Sequence, residues 1–180
     1  SSIVRNAWRV NRGEVPVSGE REAVEGGPIP DLFVLHRDDA LEAQATLLQV
    51  LSRRLPRMGF DPLRDVQVLT PMHNGTLGTI ALNERLQATL NPTGDELRRG
   101  NRVYRVGDRV IQVKNDYDND IFNGDTGRVS AVTASGLVVD FEGRELALTG
   151  ESLNDLEPAW AISIHKSQGS EYPAVVVPLL

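Results

Sequence analysis

The spacing of apolar and polar positions changes twice along the chain. Residues 1–30 are broken by Gly13, Pro16, Gly19, Gly26, Gly27, Pro28 and Pro30, which leaves room for one short helix near Ile3 to Val10 and otherwise predicts a connecting arm. Leu32 to His36 reads as a compact apolar strand. Asp38 and Asp39 then mark a helix start, with Leu41, Ala45, Leu48 and Leu55 on one helical face. Val66 to Thr70 is a second strand signal, followed by a loop of small and polar residues from Pro71 to Gly78. Leu82, Leu86 and Leu90 recur every four residues until Asn91-Pro92 ends the helix. This alternation of strand and helix predicts an α/β domain, a parallel sheet with helices on both faces.

Beyond Pro92 the period shortens. Arg102 to Tyr104, Arg109 to Val113, Gly127 to Val132, Leu137 to Phe141 and Glu145 to Leu148 are short strand-like runs. Gly107-Asp108, Asn123-Gly124-Asp125, Ser135-Gly136 and Glu142-Gly143 separate them with turn chemistry. So many short strands in so little chain predict a small β-barrel. The chain returns through Leu153 and Leu156 to Trp160-Ala161-Ile162-Ser163-Ile164, a polar loop and an apolar strand signal at Ala174 to Val177. The expected organisation is a discontinuous α/β domain, residues 1–95 and 150–180, interrupted by a barrel at residues 96–149. The strands at 32–36, 66–70 and 174–177 are expected to share one sheet.

Composition narrows the functional classes. The chain has 180 residues, 40% of them hydrophobic and none of them cysteine, which excludes disulfides and thiolate chemistry. It contains no apolar run long enough for a membrane span and no basic-then-apolar leader, so no membrane partner and a cytoplasmic location are expected. His36, His73 and His165 stand far apart with no pair at ligand spacing, so no metal site is assigned. The net charge of −6 argues against nucleic-acid binding by bulk positive charge, so any such contact must be local. One locality stands out: Arg98, Arg99, Arg102, Arg105, Arg109 and Lys114 face only Asp108 within their stretch. The stretch is either a solvated strand face or a local DNA contact, in which Arg102, Arg105, Arg109 and Lys114 would line a path for the backbone and Asn115 and Tyr117 of the following loop would hydrogen-bond or stack on a base. The opening Ser-Ser-Ile-Val and the closing Val-Val-Val-Pro-Leu-Leu are expected to be cut points within a longer polypeptide.

The stretch His165-Lys166-Ser167-Gln168-Gly169-Ser170-Glu171-Tyr172 sets polar residues directly before a strand. In α/β sheets, loops beside strand ends are where ligands gather. On residue type alone it is either such a loop or a surface loop whose serines cap backbone groups. His165 and Ser167 make a poor hydrolytic pair, because residues two apart on a loop do not generally meet and no nucleophile elbow is present. There is no Gly-x-x-x-x-Gly-Lys-Ser/Thr phosphate loop either, and no catalytic residue is assigned.

The string from Ile162 to Pro173 resembles motif V of superfamily 1 helicases, in the form typical of RecD-like and TraA-like enzymes. Three further stretches agree and follow in the family's order. They are Thr70-Pro71-Met72-His73 with Leu77-Gly78 and Ala81-Leu82-Asn83, Val106 to Gln112 leading to Asn115-Asp116-Tyr117-Asp118, and Phe122 to Gly127. The opening Ser2-Ile3-Val4-Arg5-Asn6-Ala7 fits as well, and the resemblance is weakest between residues 14 and 60. It implies an ATP-driven 5′ to 3′ motor on single-stranded DNA, acting in recombination, repair or conjugative transfer. This chain would be its second RecA-like domain, and the barrel would be the family's Src-homology-3-like insertion. Pro71, His73, Ser163, His165 and Ser167 would then face DNA, whereas Gln168, Gly169 and Glu171 would face the nucleotide, Glu171 suiting a ribose hydroxyl. ATP, Mg2+ and a first RecA-like domain are implied partners of the full-length parent. The phosphate loop, the acidic magnesium motif and the arginine motifs are absent here, so the fragment alone is expected to be inactive and to hold no cofactor. The alternative is a non-enzymatic nucleic-acid-binding or adaptor module. A peptide-binding barrel is a third reading, disfavoured because Tyr104, Tyr117, Phe122 and Phe141 are few aromatics for a groove.

Overall fold

In a computed structural model, the structure describes residues 1–18 and 31–179, and the chain divides into two units, Ser1–Asp38 and Asp39–Leu180. In the first unit the expected short helix is α1, Ser2–Asn11. Its buried Asn6 donates from Nδ2 to Val17 O at 2.9 Å and accepts from Val17 N at 2.7 Å, so one side chain fixes the returning arm. The strand expected at Leu32 to His36 is not formed. Among the described residues the segment has no ladder partner, its Val34 N donating instead to the Ser18 hydroxyl at 2.8 Å, and Phe33 and Leu35 stay exposed.

The second unit is mixed α/β. Helix α2, Ala40–Gln49, starts at Asp39, whose carboxylate accepts from Glu42 N at 2.9 Å, a cap typically contributing about 1 kcal/mol. The helix widens into a π turn at Val50–Arg54 and resumes as α3, Leu55–Arg57. Pro56 accounts for the widening: it has no N–H to give, and its ring crowds the carbonyl four residues back. Strand β1, Val66–Thr70, leads through the 71–78 loop into helix α4, Thr79–Leu90.

Four antiparallel pairings of successive strands follow. Strands β2, Glu96–Arg99, and β3, Arg102–Arg105, form a two-stranded sheet. Strands β4, Arg109–Gln112, β5, Thr126–Val132, β6, Gly136–Phe141, and β7, Arg144–Thr149, run antiparallel in sequence order. The chain passes a 3-10 turn, Gly150–Asp155, and adds β8, Leu156–Pro158, beside β4 rather than beside β7. All five predicted runs are strands, but the first belongs to the hairpin, and the place of a fifth strand in the main sheet is taken by β8. Tyr104, Val110, Ile121, Val129, Leu137, Val139, Phe141, Leu148, Leu153 and Leu156 fill one core between these layers. The Tyr104 hydroxyl donates to Leu156 O at 2.6 Å, and burial pushes its pKa up to about 12.

After β8 the chain reverses at Ala159-Trp160 into β9, Ala161–Ser163, and after a polar connection reaches β10, Ala174–Val176. These flank β1 in a parallel sheet of order β10-β1-β9. Two of the three expected strands thus share one sheet across about a hundred residues of intervening chain. Among the described residues strand β10 pairs only with β1, and Val175 and Val177 are exposed instead of buried as their apolar run predicts.

The two faces of the parallel sheet differ. Val66, Val68 and Ala161 pack with Leu47 and Leu51 of the first helical segment and with Leu82 and Leu86 of α4. Leu69 and Ile162, pointing the other way, pack with Ile111 of β4 and with Val113 just beyond it. Helices are expected on both faces, but among the described residues those of this unit lie on one, and the antiparallel layer covers the other.

Candidate nucleic-acid interface

The direction of β4 across the parallel sheet decides which loops meet. At its start, Arg109 donates from Nη1 to Val66 O at 2.5 Å, at the beginning of β1. Further along, Ile111 and Val113 pack on Leu69 and Ile162, near the ends of β1 and β9. Strand β4 therefore runs toward the C-terminal edge of the parallel strands and delivers the 113–125 loop to the edge from which residues 71–78 and 164–168 also leave. In open α/β sheets that edge is the ligand edge.

The 71–78 loop is built by Thr70, whose buried hydroxyl donates to Leu77 O at 2.7 Å and accepts from Met72 N at 3.2 Å. Gly78 lies under it: a Cβ there would sit 2.5 Å from the carbonyl oxygens of His73 and Asn74. Pro71 and His73 are left exposed, His73 with Nδ1 2.9 Å from the Thr79 hydroxyl at the start of α4. Four residues along α4, Asn83 reaches β9 and binds both backbone groups of Ala161.

The candidate motif V loop begins as a single 3-10 turn, Ile164–Ser167, capped by the Ser163 hydroxyl, which accepts from Lys166 N at 3.4 Å. The Ser167 hydroxyl donates back to Ile164 O at 2.8 Å, and His165, Gln168, Gly169 and Glu171 are exposed. Gly169 adopts φ +83°, a conformation that glycine takes without strain, which turns the chain back toward β10. The serines thus cap backbone groups while His165 projects. Lys166 pairs with Glu157 of β8 at 3.2 Å, and among the described residues Glu171 has no ion-pair partner.

The 113–125 loop is anchored by Ile121, fully buried, and by paired backbone bonds between Asp116 and Ile121. Asp116 accepts from the backbone and side chain of Asn119, bonds that hold its carboxyl below the ordinary value. Lys114 and Tyr117 project, with Lys114 4.0 Å from Asp155. The Tyr117 ring, 76% exposed, meets Phe122, 44% exposed, edge-on with centroids 6.3 Å apart. Asn115 spends both ends of its amide within the loop, donating to the Tyr117 hydroxyl at 3.0 Å and accepting from Asn123 N at 2.9 Å.

The arginines of the charged stretch are placed differently. Arg102 donates to Leu156 O at 2.8 Å and Asn154 O at 3.2 Å, and pairs with Glu157 at 3.1 Å. Arg105, its side chain only 18% exposed, pairs with Glu96 at 3.1 Å and donates to Asn91 O at 3.3 Å. Arg109, half-buried, lies at the opposite edge of the sheet from the 113–125 loop, and burial, with Arg128 across the strand pair, lowers its pKa. The structure thus gathers Pro71, His73, Lys114, Asn115, Tyr117, Ser163, His165 and Ser167 at one edge, while Arg102, Arg105 and Arg109 make internal contacts. Phe122, Asn83 and Glu157 join this edge or hold it. Asn83 lies within a recognised string, Phe122 could be read equally as core, and Glu157 has no sequence signal.

Residues 82–141 match the SH3 domain of ATP-dependent RecD-like DNA helicases, and residues 158–180 match the UvrD-like helicase C-terminal domain. The ATP-dependent RecD2 DNA helicase of Deinococcus radiodurans is 46% identical over 111 residues, covering 62% of this chain and 16% of that protein. The RecBCD enzyme subunit RecD of Haemophilus influenzae is 33% identical over 114 residues, covering 63% of this chain and 17% of that protein. A solved Pif1 helicase from Bacteroides, in complex with ADP-AlF3 and ssDNA, is 19% identical at a TM-score of 0.47, covering 79% of this chain and 40% of that one. The matched stretches span less than a fifth of these two curated relatives. The chain is thus similar in sequence to RecD-like DNA helicases over part of its length, and at residues 158–180 to the C-terminal domain of UvrD-like helicases.

Proposed function

We propose that this chain is part of an ATP-dependent DNA helicase that moves 5′ to 3′ along single-stranded DNA in recombination, repair or conjugative transfer. Residues 1–95 with 150–180 are read as its second RecA-like motor domain, and residues 96–149 as an inserted Src-homology-3-like barrel. The observation that carries the reading is the course of β4, which brings Lys114, Asn115 and Tyr117 to the sheet edge that bears Pro71, His73, Ser163 and His165.

A single strand lying along that edge meets donors for its phosphates in Lys114, His165 and the Ser163 hydroxyl, while Ser167, its hydrogen given to Ile164 O, shapes the turn; Tyr117 and Phe122 offer aromatic faces for its bases. Asn115 orients the tyrosine. Arg102, Arg105 and Arg109 support the fold of the edge. Gln168, Gly169 and Glu171 form the rim of a nucleotide site, where a carboxylate suits a ribose hydroxyl and would repel phosphates. A first RecA-like domain of the same parent supplies the phosphate loop and the Mg2+ ligands; bound there, ATP supplies the energy of translocation.

The test is a fluorescence titration of the 180-residue chain with oligo(dT) and with blunt duplex, repeated for Tyr117→Ala and His165→Ala. Salt-sensitive, sequence-tolerant binding to the single strand that both substitutions weaken is the expected result. Binding indifferent to both would overturn the interface, and magnesium-dependent ATP turnover by this chain alone would overturn the division of the nucleotide site.

A further inference from the structure

We infer that Glu157 is a positioning residue for DNA binding: it holds the Lys166 ammonium aside and releases it to a DNA phosphate when a single strand occupies the edge. The inference rests on the reading above, in which the 164–168 turn faces DNA.

Three elements meet at this carboxylate. Glu157 projects from β8, and its Oε1 accepts from Arg102 Nη2 at 3.1 Å while its Oε2 accepts from Lys166 Nζ at 3.2 Å. Each oxygen thus serves one cation. The two cations are held with different firmness. The Arg102 guanidinium also donates to Leu156 O and Asn154 O, so its position is set by the backbone it binds. The Lys166 ammonium makes no other hydrogen bond among the described residues, and a lysine on a flexible four-carbon stem gives up one half-exposed ion pair readily.

This asymmetry is what an exchange requires. If Lys166 swings to a phosphate, Glu157 keeps a counter-charge in Arg102 and no bare carboxylate is left against the incoming polyanion. A lysine that entered the edge with no such partner would be loose; a lysine held by a second fixed acid would not leave. Two residues earlier, Asp155 stands near Lys114 at 4.0 Å, so the cation of the neighbouring loop is attended more loosely by the same stretch of chain.

The proposal predicts a gain of binding where a structural role predicts a loss. In the 180-residue chain, Glu157→Gln should tighten oligo(dT) binding by about fivefold at 0.1 M salt with the salt slope unchanged, because Lys166 neutralises the same phosphate in both complexes. Adding Lys166→Gln should cancel that gain. Glu157→Asp keeps the charge on a shorter stem and should fall between wild type and Glu157→Gln. Independently of DNA, acylation of Lys166, followed by mass spectrometry of its peptide, should be faster in Glu157→Gln. Unchanged or weaker binding by a Glu157→Gln chain of wild-type melting temperature overturns the proposal. So does an equal gain when Lys166 is absent. A wild-type chain that binds no oligo(dT) overturns the underlying reading of the loop instead.

Discussion

Asn83 of α4 holds strand β9 by both backbone groups of one residue, its Nδ2 donating to Ala161 O at 2.8 Å and its Oδ1 accepting from Ala161 N at 3.0 Å. Strand β9 is an edge of the parallel sheet, and the amide takes the place that a further strand would have. Asn83→Ala leaves the buried Ala161 N–H without an acceptor, at a cost of about 1–3 kcal/mol. Equilibrium urea unfolding should show a lower midpoint with an unchanged m-value. Asn83→Asp restores the acceptor but sets a carboxylate against Ala161 O, so it should not recover the loss. A midpoint equal to wild type in Asn83→Ala would mean that β9 holds itself.

What was legible in the sequence depended on whether a residue's partner lies nearby in the chain. The period of Leu82 and Leu86 and the turn residues between the β strands state local geometry, and those elements stand where they are predicted. Leu32 to His36 has the apolar content of a strand, but a strand needs a neighbour, and the sequence does not say that none of the described residues pairs there. Strand β2, Glu-Leu-Arg-Arg, carries one apolar residue and forms because β3 lies beside it. The arginines were the hardest to read. A free and a committed guanidinium look alike until Glu157, 55 residues beyond Arg102, is folded against it. The recognised strings placed the edge; only the contacts show which of its cations are available.

The buried Asp108 carboxylate joins α4 to the turn after β3. It accepts from Asn91 Nδ2 at 2.8 Å, from Gln87 Nε2 at 2.5 Å and from Arg105 N at 2.7 Å. Burial outweighs these bonds and raises its pKa above the ordinary 3.8. The folded chain then holds this proton more tightly than the unfolded one. Its contribution to stability is greatest below the unfolded value and falls as pH rises through the folded value. Asp108→Asn should remove that fall, measured by urea unfolding between about pH 3 and pH 7. The variant should also be weaker at neutral pH, by about 1–3 kcal/mol, because an amide nitrogen faces one of the buried donors. A wild-type slope identical to that of the variant would assign the pH dependence elsewhere.

Gly78 matters for the space it leaves. Alanine there would press a methyl group to 2.5 Å from the carbonyl oxygens of His73 and Asn74, and backbone must move to admit it. Gly78→Ala should cost about 1–3 kcal/mol in urea unfolding. Because the displaced backbone carries His73, oligo(dT) binding should weaken even under conditions where the variant remains fully folded. Loss of stability with full binding would show that the 71–78 loop does not touch DNA.

Lys114 and Arg105 look equivalent as cations of one charged stretch, and the structure separates their fates. The Lys114 side chain is 74% exposed on the loop that reaches the ligand edge, near one carboxylate at 4.0 Å. Arg105 is 18% exposed, paired with Glu96 at 3.1 Å and donating to Asn91 O. Reversing a solvent-exposed charge costs the fold little, and its effect on a polyanion is direct. Lys114→Glu should therefore leave unfolding within about 0.5 kcal/mol of wild type. It should weaken oligo(dT) binding and flatten the salt slope by about 0.7. Arg105→Glu would face Glu96 directly across the strand pair, leaving two carboxylates to share Arg98, and would leave Asn91 O without its donor. Like charges directly opposite one another destabilise a sheet. The expected result for Arg105→Glu is a marked loss of stability, with binding reduced only in proportion to the unfolded fraction. If Arg105→Glu instead stays folded and loses single-strand affinity as Lys114→Glu does, the β2–β3 hairpin lies on the DNA path and the edge extends further than the course of β4 implies.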